Sequence, residues 1–210
     1  MKTLWKRITA NPYWYYALYV PVYLLAFWII ERFMPADRVY WPSWIPLDDQ
    51  IPFRAQFVWF YVLWFPYLVG PGVYWLLNEP ETYRRYLVSI MLSFSLAVFV
   101  CIVFPNCQNL RPAVFPRDNV LTRFTAWFYA FDTNTDVCPS LHVVGSLAAY
   151  FGLRDCRRFR SRGWQIGSAL AAAAICLSTL FLKQHSAVDV LAALPLCAIA
   201  YLLIYRRKTV

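Results

Sequence analysis

TLFLKQHSAVDVLA, residues 179–192, closes one apolar run and opens the next. The flanking runs, 164–182 and 187–205, approach the roughly 20 apolar residues that a membrane-spanning helix needs. At their junction stand Lys183, His185 and, just inside the second run, Asp189, and His185 is one of two histidines in the chain. Residues four apart on a helix share a face. Asp189 is therefore predicted to reach one imidazole nitrogen of His185 and leave the other free, as a carboxylate orients a base or nucleophile. A purely structural polar pair between helices fits the same spacing. Two other stretches bear on that choice. Cys138-Pro139-Ser140-Leu141-His142 holds the second histidine, again at the start of an apolar run, and Leu110-Arg111-Pro112 follows a third run. Three polar clusters at three helix ends predict one shared site.

The chain has 210 residues, of which 60% are hydrophobic, 20% aromatic and 15% charged. Soluble domains carry roughly 25% charged residues. The apolar content runs along the whole length, so the expected fold is a single all-α membrane domain, residues 1–210. Six candidate spans stand out: 13–33, 53–77, 86–104, 140–153, 164–182 and 187–205. The fourth is short for a span and is expected to sit among its neighbours or to extend into the preceding loop. Its small residues Gly145, Ser146, Ala148 and Ala149 allow close helix approach. Lys2, Lys6 and Arg7 precede the first run as in a signal peptide. That run is long enough to span and no small-residue cleavage site follows, so it reads as a retained helix.

The net charge of +9 raises the question of nucleic acid. The basic residues cluster between apolar runs instead, which argues for membrane topology and against a nucleic-acid partner. Lys2, Lys6, Arg7, Arg84, Arg85, Arg154, Arg157, Arg158, Arg160, Arg162, Arg206, Arg207 and Lys208 fall on one side, thirteen of the twenty lysines and arginines. Positive charge marks the cytoplasmic side. Both termini are expected there, with all three polar clusters on the extracytoplasmic side, facing periplasm, lumen or cell exterior.

Two connections face that outer side. The first, 34–52, carries Pro35, Pro42, Pro46 and Pro52, which argue against a regular helix, and Trp41 and Trp44, which suit the bilayer interface. Asp48 and Asp49 in it read as solvated loop carboxylates. The second connection, 105–139, is long enough to be functional, and 122–131 has the aromatic spacing of a short interfacial helix. Asp132 to Asp136 resembles the start of a calcium loop, but Val137 stands where glycine is required and Val143 where glutamate is, so calcium is rejected. Asn134 and Asp136 read as turn residues. No zinc spacing is present. Cys101, Cys176 and Cys197 read as buried packing. Cys107 and Cys138 lie on the outer side, where a disulfide is one possibility.

Taken together, Arg111-Pro112, Pro139-Ser140-Leu141-His142 and His185-Ser186-Ala187-Val188-Asp189 resemble the three-part signature of the type 2 phosphatidic acid phosphatase superfamily, within residues 104–192. That superfamily includes lipid phosphate phosphatases, vanadium haloperoxidases and inositol phosphorylceramide synthases. Phe104 stands where the first motif usually has lysine, and Thr179 where the third usually has arginine. Leu141 in the middle motif looks closer to the inositol phosphorylceramide synthase-like branch.

The resemblance implies a six-transmembrane helical bundle and phosphoester chemistry without cofactor or metal. His185 would be the nucleophile, giving a phosphohistidine, with Asp189 fixing its tautomer. His142 would be the general acid, then the base. Arg111, Lys183 and Ser140 would bind the phosphate oxygens. The expected substrate is a lipid phosphate held in the bilayer: phosphatidic acid, a lipid pyrophosphate, phosphatidylglycerol phosphate or a phosphoinositol donor. Water as acceptor makes the protein a lipid phosphatase; an alcohol makes it a phosphotransferase. A transporter or scaffold that keeps the fold is the non-enzymatic alternative. A haloperoxidase is disfavoured, because those enzymes are soluble.

Overall fold

The computed structural model describes residues 2–33 and 38–206. Met34 and Pro35 of the first outer connection, and Arg207 and Lys208 of the last basic cluster, lie outside the described residues. The elements are α1 (Lys2–Thr9), α2 (Tyr19–Phe33), β1 (Trp41–Pro42), α3 (Pro46–Gln50), α4 (Val58–Asn78), α5 (Pro80–Val103), β2 (Asn106–Cys107), α6 (Val120–Phe131), α7 (Leu141–Asp155), α8 (Arg162–Phe181) and α9 (Ala187–Ala200). Four helical stretches are long and apolar enough to cross a membrane: Ala55–Asn78, Pro80–Val103, Arg162–Phe181 and Ala187–Tyr205. The N-terminal pair, Thr3–Thr9 and Trp14–Ile30, is bent by 95° and adds a fifth if counted as one span. Large apolar side chains such as Trp59, Val69, Leu170 and Leu191 stay exposed on these helices, as helices that face hydrocarbon require.

The run 140–153 becomes α7, of 15 residues. It packs against α4, α5, α8 and α9. Val143, Val144, Ala148 and Ala149 are all buried in the core it shares with Trp75, Tyr86 and Ile175. Its small residues make this possible. A Cβ on Gly152 would stand 2.5 Å from the Trp75 ring, and one on Gly145 would stand 3.0 Å from Trp64 and Leu68.

Several boundaries differ from the sequence expectation. α5 begins at Pro80, because proline is well placed in a first turn, where its missing N–H would be unpaired anyway. Pro46 starts the five-residue α3 in the same way, so the first outer connection is not free of helix. The predicted interfacial helix is present as α6, capped by the Asn119 side chain on Leu121 and Thr122 N–H.

Polar contacts sort the connections into two ends. Arg85 pairs with Asp155 at 3.1 Å, Arg7 reaches Asn78 at 3.5 Å, and Tyr13 donates to Glu81 at 2.8 Å. The described basic clusters at Arg7, Arg84–Arg85 and the α7–α8 connection therefore share one end of the bundle. All three motif segments meet at the other.

Candidate functional site

The α8–α9 turn builds the centre of the site. The Thr179 carbonyl accepts from Gln184 N–H at 2.9 Å and from His185 N–H at 3.2 Å, which closes the chain tightly after α8. Lys183 takes a positive φ of 55° to make that turn. Ser186 then caps α9, accepting from Val188 N–H, while the Asp189 side chain accepts from Ser186 N–H at 2.8 Å. This reciprocal capping box holds Asp189, which has no exposed surface. Its Oδ2 also lies 3.3 Å from His185 Nδ1, so the predicted pairing is present.

His142 stands in the first turn of α7, with its ring centroid 5.7 Å from that of His185. Tyr61 and Trp64 of α4 flank it at 4.3 and 4.6 Å. Ser140 N–H donates to the Asp189 carbonyl at 3.1 Å, tying the middle motif to the third. Beside Trp64 Nε1, three buried polar atoms of motif residues in this region have no hydrogen-bond partner among the described residues: His142 Nε2, Ser140 Oγ and Arg111 Nε. A buried polar atom without a partner costs about 1–3 kcal/mol, so three of them mark a place where a polar ligand would be stabilised.

Arg111 belongs to the same region by a different arrangement from the one its motif suggests. Its two Nη groups donate to the carbonyls of Tyr129 (3.0 Å), Asp132 (2.6 Å) and Thr133 (2.9 Å) and to Gln184 Oε1 (2.5 Å). The guanidinium also lies over the Tyr129 ring at 4.5 Å. Burial lowers its pKa from the usual arginine value, and Asp132 opposes that effect. Much of the planar fork thus holds the protein together, and Nε is the donor left over. Gln184 links onward, its Nε2 reaching the Tyr61 hydroxyl at 3.4 Å. Tyr61 in turn donates to Asp132 Oδ2.

Lys183 does not join the histidines. Its ammonium donates to the Asp48 backbone carbonyl at 2.6 Å. Burial lowers its pKa, with Asp48 and Asp49 pulling the other way. Thr179 Oγ1 bonds back to the Cys176 carbonyl at 2.8 Å, and Phe104 points outward, 61% exposed. Neither position brings a charge to the site.

The expectation of a solvated Asp48 is overturned. Asp48 is 1% exposed. Its carboxylate accepts from Ser186 Oγ (2.5 Å), Ala187 N–H (2.7 Å) and Ile45 N–H (2.9 Å). Those donors, two of them at the start of α9, compensate its burial, which base rates for loop residues cannot anticipate. Asp49 is exposed as expected and accepts from Trp44 Nε1.

Cys107 and Cys138 carry free thiols. Asn106 makes the connection that a disulfide would have made. Its amide donates to the Cys138 carbonyl at 2.9 Å and accepts from Cys138 N–H at 2.7 Å. Burial, with Asp189 next, pushes the Cys138 thiol up to about 12. Asn134 and Asp136 lie in turns: Asn134 exchanges hydrogen bonds with the Gln108 backbone, and Asp136 takes a φ of 52°.

Sequence reasoning missed Ser43, Asp48, Tyr61 and Gln184. Only Gln184 had a signal, since it sits between Lys183 and His185. No protein-family model, curated protein or solved structure matches the chain.

Proposed function

We propose that the protein is an integral membrane enzyme that breaks a phosphoester bond of a lipid, passing the phosphoryl group through His185. The observation that carries this reading is the histidine pair. His185 has Nδ1 on a buried carboxylate, and His142, 5.7 Å away, has a buried Nε2 without a partner. The order of motifs resembling the type 2 phosphatidic acid phosphatase superfamily agrees with it.

With Nδ1–H directed at Asp189, the Nε2 lone pair of His185 is free to attack phosphorus. A P–N bond forms as the P–O ester bond breaks, and the electron pair leaves on the alkoxide, which takes a proton from His142. Water then attacks the phosphohistidine, the P–N bond breaks, and His142 recovers its proton from that water. Ser140 and Arg111 Nε are placed to donate to phosphate oxygens. The product of this sequence is a dephosphorylated lipid and free phosphate. In this reading the protein is a six-span bundle with both termini in the cytoplasm and the site on the outer side, where lipid and aqueous phosphate both have access.

A second reading, transfer to an alcohol acceptor, is favoured by one feature. Lys183 is held by the Asp48 carbonyl, and Phe104 and Thr179 are uncharged, so the motifs leave Arg111 alone as a cation. A phosphodiester donor with one negative charge needs less compensation than a doubly charged monoester.

The test uses purified protein in detergent with a panel of lipid phosphates, following phosphate release with and without ceramide or diacylglycerol. Release that His185→Asn abolishes supports the phosphatase. A new phospholipid formed only with acceptor, and equally dependent on His185, supports the transferase. Full activity of His185→Asn overturns both.

A further inference from the structure

The Asp189 carboxylate has a partner that none of the three motifs contains. Ser43, 7% exposed and immediately after β1, donates its hydroxyl to Asp189 Oδ1. The Ser43 backbone is fixed independently: its N–H donates to the Cys107 carbonyl at 2.6 Å, and Trp41 N–H donates to the Pro105 carbonyl at 2.8 Å. These bonds extend the two-residue parallel pairing of β1 with β2. The first outer connection is thus stitched to the second, and the stitch delivers one hydroxyl to a carboxylate otherwise held from below. Oδ2 receives Ser186 N–H and faces His185; Oδ1 receives Ser43; the Cys138 thiol also hydrogen-bonds the carboxylate.

We infer that Ser43 is a positioning residue for the His185 nucleophile, locking the rotation of the Asp189 carboxylate so that Oδ2 stays on His185 Nδ1. The inference rests on the phosphohistidine reading for its kinetic consequence, though its structural consequence stands apart. Without the Ser43 hydroxyl the carboxylate keeps Ser186 N–H and the weak Cys138 thiol donor, and turns more freely about its Cβ–Cγ bond. Nδ1–H then loses its fixed acceptor, and the imidazole samples the tautomer with the proton on Nε2. In that tautomer the attacking lone pair is gone. At metal sites, the hydrogen-bond partners that orient a ligand histidine matter by about 10–100-fold, and Ser43 acts by the same kind of orientation on His185. Ser43 also lines both neighbouring hollows. One, of about 350 Å³, runs along Trp44, Asn109 and Leu110; the other, of about 240 Å³, runs along Val100, Phe104 and Val188. A residue at that boundary can couple the outer connection to the site without itself touching phosphorus.

The experiment compares Ser43→Ala, Ser43→Thr and Ser43→Cys in detergent, with ring-¹⁵N-labelled histidine and the His142 signals assigned from His142→Gln. Wild type is expected to show His185 as the Nδ1–H tautomer. Ser43→Ala is expected to mix the tautomers and to lower kcat about tenfold with KM unchanged. Ser43→Thr keeps the hydroxyl and should restore both. If Ser43→Ala does not fold, Ser43→Cys, of similar size but a weaker donor, should fall between. A wild-type tautomer and kcat in the Ala or Cys variant overturns the inference. If His185→Asn remains active while the tautomer responds to Ser43, the nucleophile assignment falls and the positioning of the imidazole stands.

Discussion

Asp48 and Arg111 show how a side chain's surroundings, more than its type, set its work. Asp48 holds three donors inside the protein, and its backbone carbonyl anchors Lys183. Asp48→Asn replaces one acceptor oxygen with an NH₂ that faces donors. A buried hydrogen bond to a charged group contributes about 1.5–3 kcal/mol, so thermal unfolding in detergent should show a loss near 2 kcal/mol, and Asp49→Asn should show almost none. Arg111 makes a different prediction. Four acceptors and the Tyr129 face match a planar fork, which an ammonium cannot reproduce. Arg111→Lys should therefore lose activity nearly as fully as Arg111→Ala, in assays of the same lipid phosphates. The His185–Asp189 pair was legible in the sequence because helical spacing alone brings i and i+4 together. Ser43 and Asp48 were not, because the partners that bring them to the site, Asp189, Ser186 and Ala187, lie more than a hundred residues away along the chain and no local period links them.

α7 shows the same division one level up. Its apolar run and small residues predicted a helix packed closely among others, and that is its position. Its start was legible within one residue, but its proximity to Tyr61 and Trp64 came from tertiary packing, which periodicity does not encode. Gly152 is the sharpest test of that packing. A Cβ there would meet Trp75 Cη2 at 2.5 Å and Cζ3 at 2.8 Å, and Trp75 is fully buried, with the core around it leaving little room to yield. Overpacking of this kind costs about 1–3 kcal/mol. Gly152→Ala should lower the unfolding free energy by that order. Trp75→Phe alone should also destabilise, by leaving a cavity, yet Gly152→Ala with Trp75→Phe should lose less than the two single changes added, because each removes part of the other's problem. Simple additivity would mean that the two helices do not meet as closely as the geometry requires.

The bundle has two chemically distinct ends, and that polarity is what a membrane would read. At one end Arg85 pairs with Asp155, α7 ends with Arg154 in its last turn, and the α7–α8 connection carries Arg157, Arg158 and Arg160. At the other lie both histidines, Arg111 and the connections 34–52 and 105–139, as far as they are described. Arginine and lysine near span ends set orientation, with the excess in the cytoplasm. The length of each span then follows: α5 and α8, of 24 and 20 residues, are long enough to carry the chain from one end to the other. Val114, 83% exposed, lies on the motif side, and Ser161 is exposed on the basic side. In the parent protein the six thiols are buried or half-buried, which makes new surface cysteines readable. Val114→Cys should react with a membrane-impermeant maleimide on intact cells. Ser161→Cys should react only after the membrane is opened. The reverse pattern would turn the site toward the cytoplasm and would require the lipid substrate to come from the inner leaflet. Reaction of both on intact cells would mean that the bundle does not separate two compartments at all, and the charge asymmetry would then need another cause.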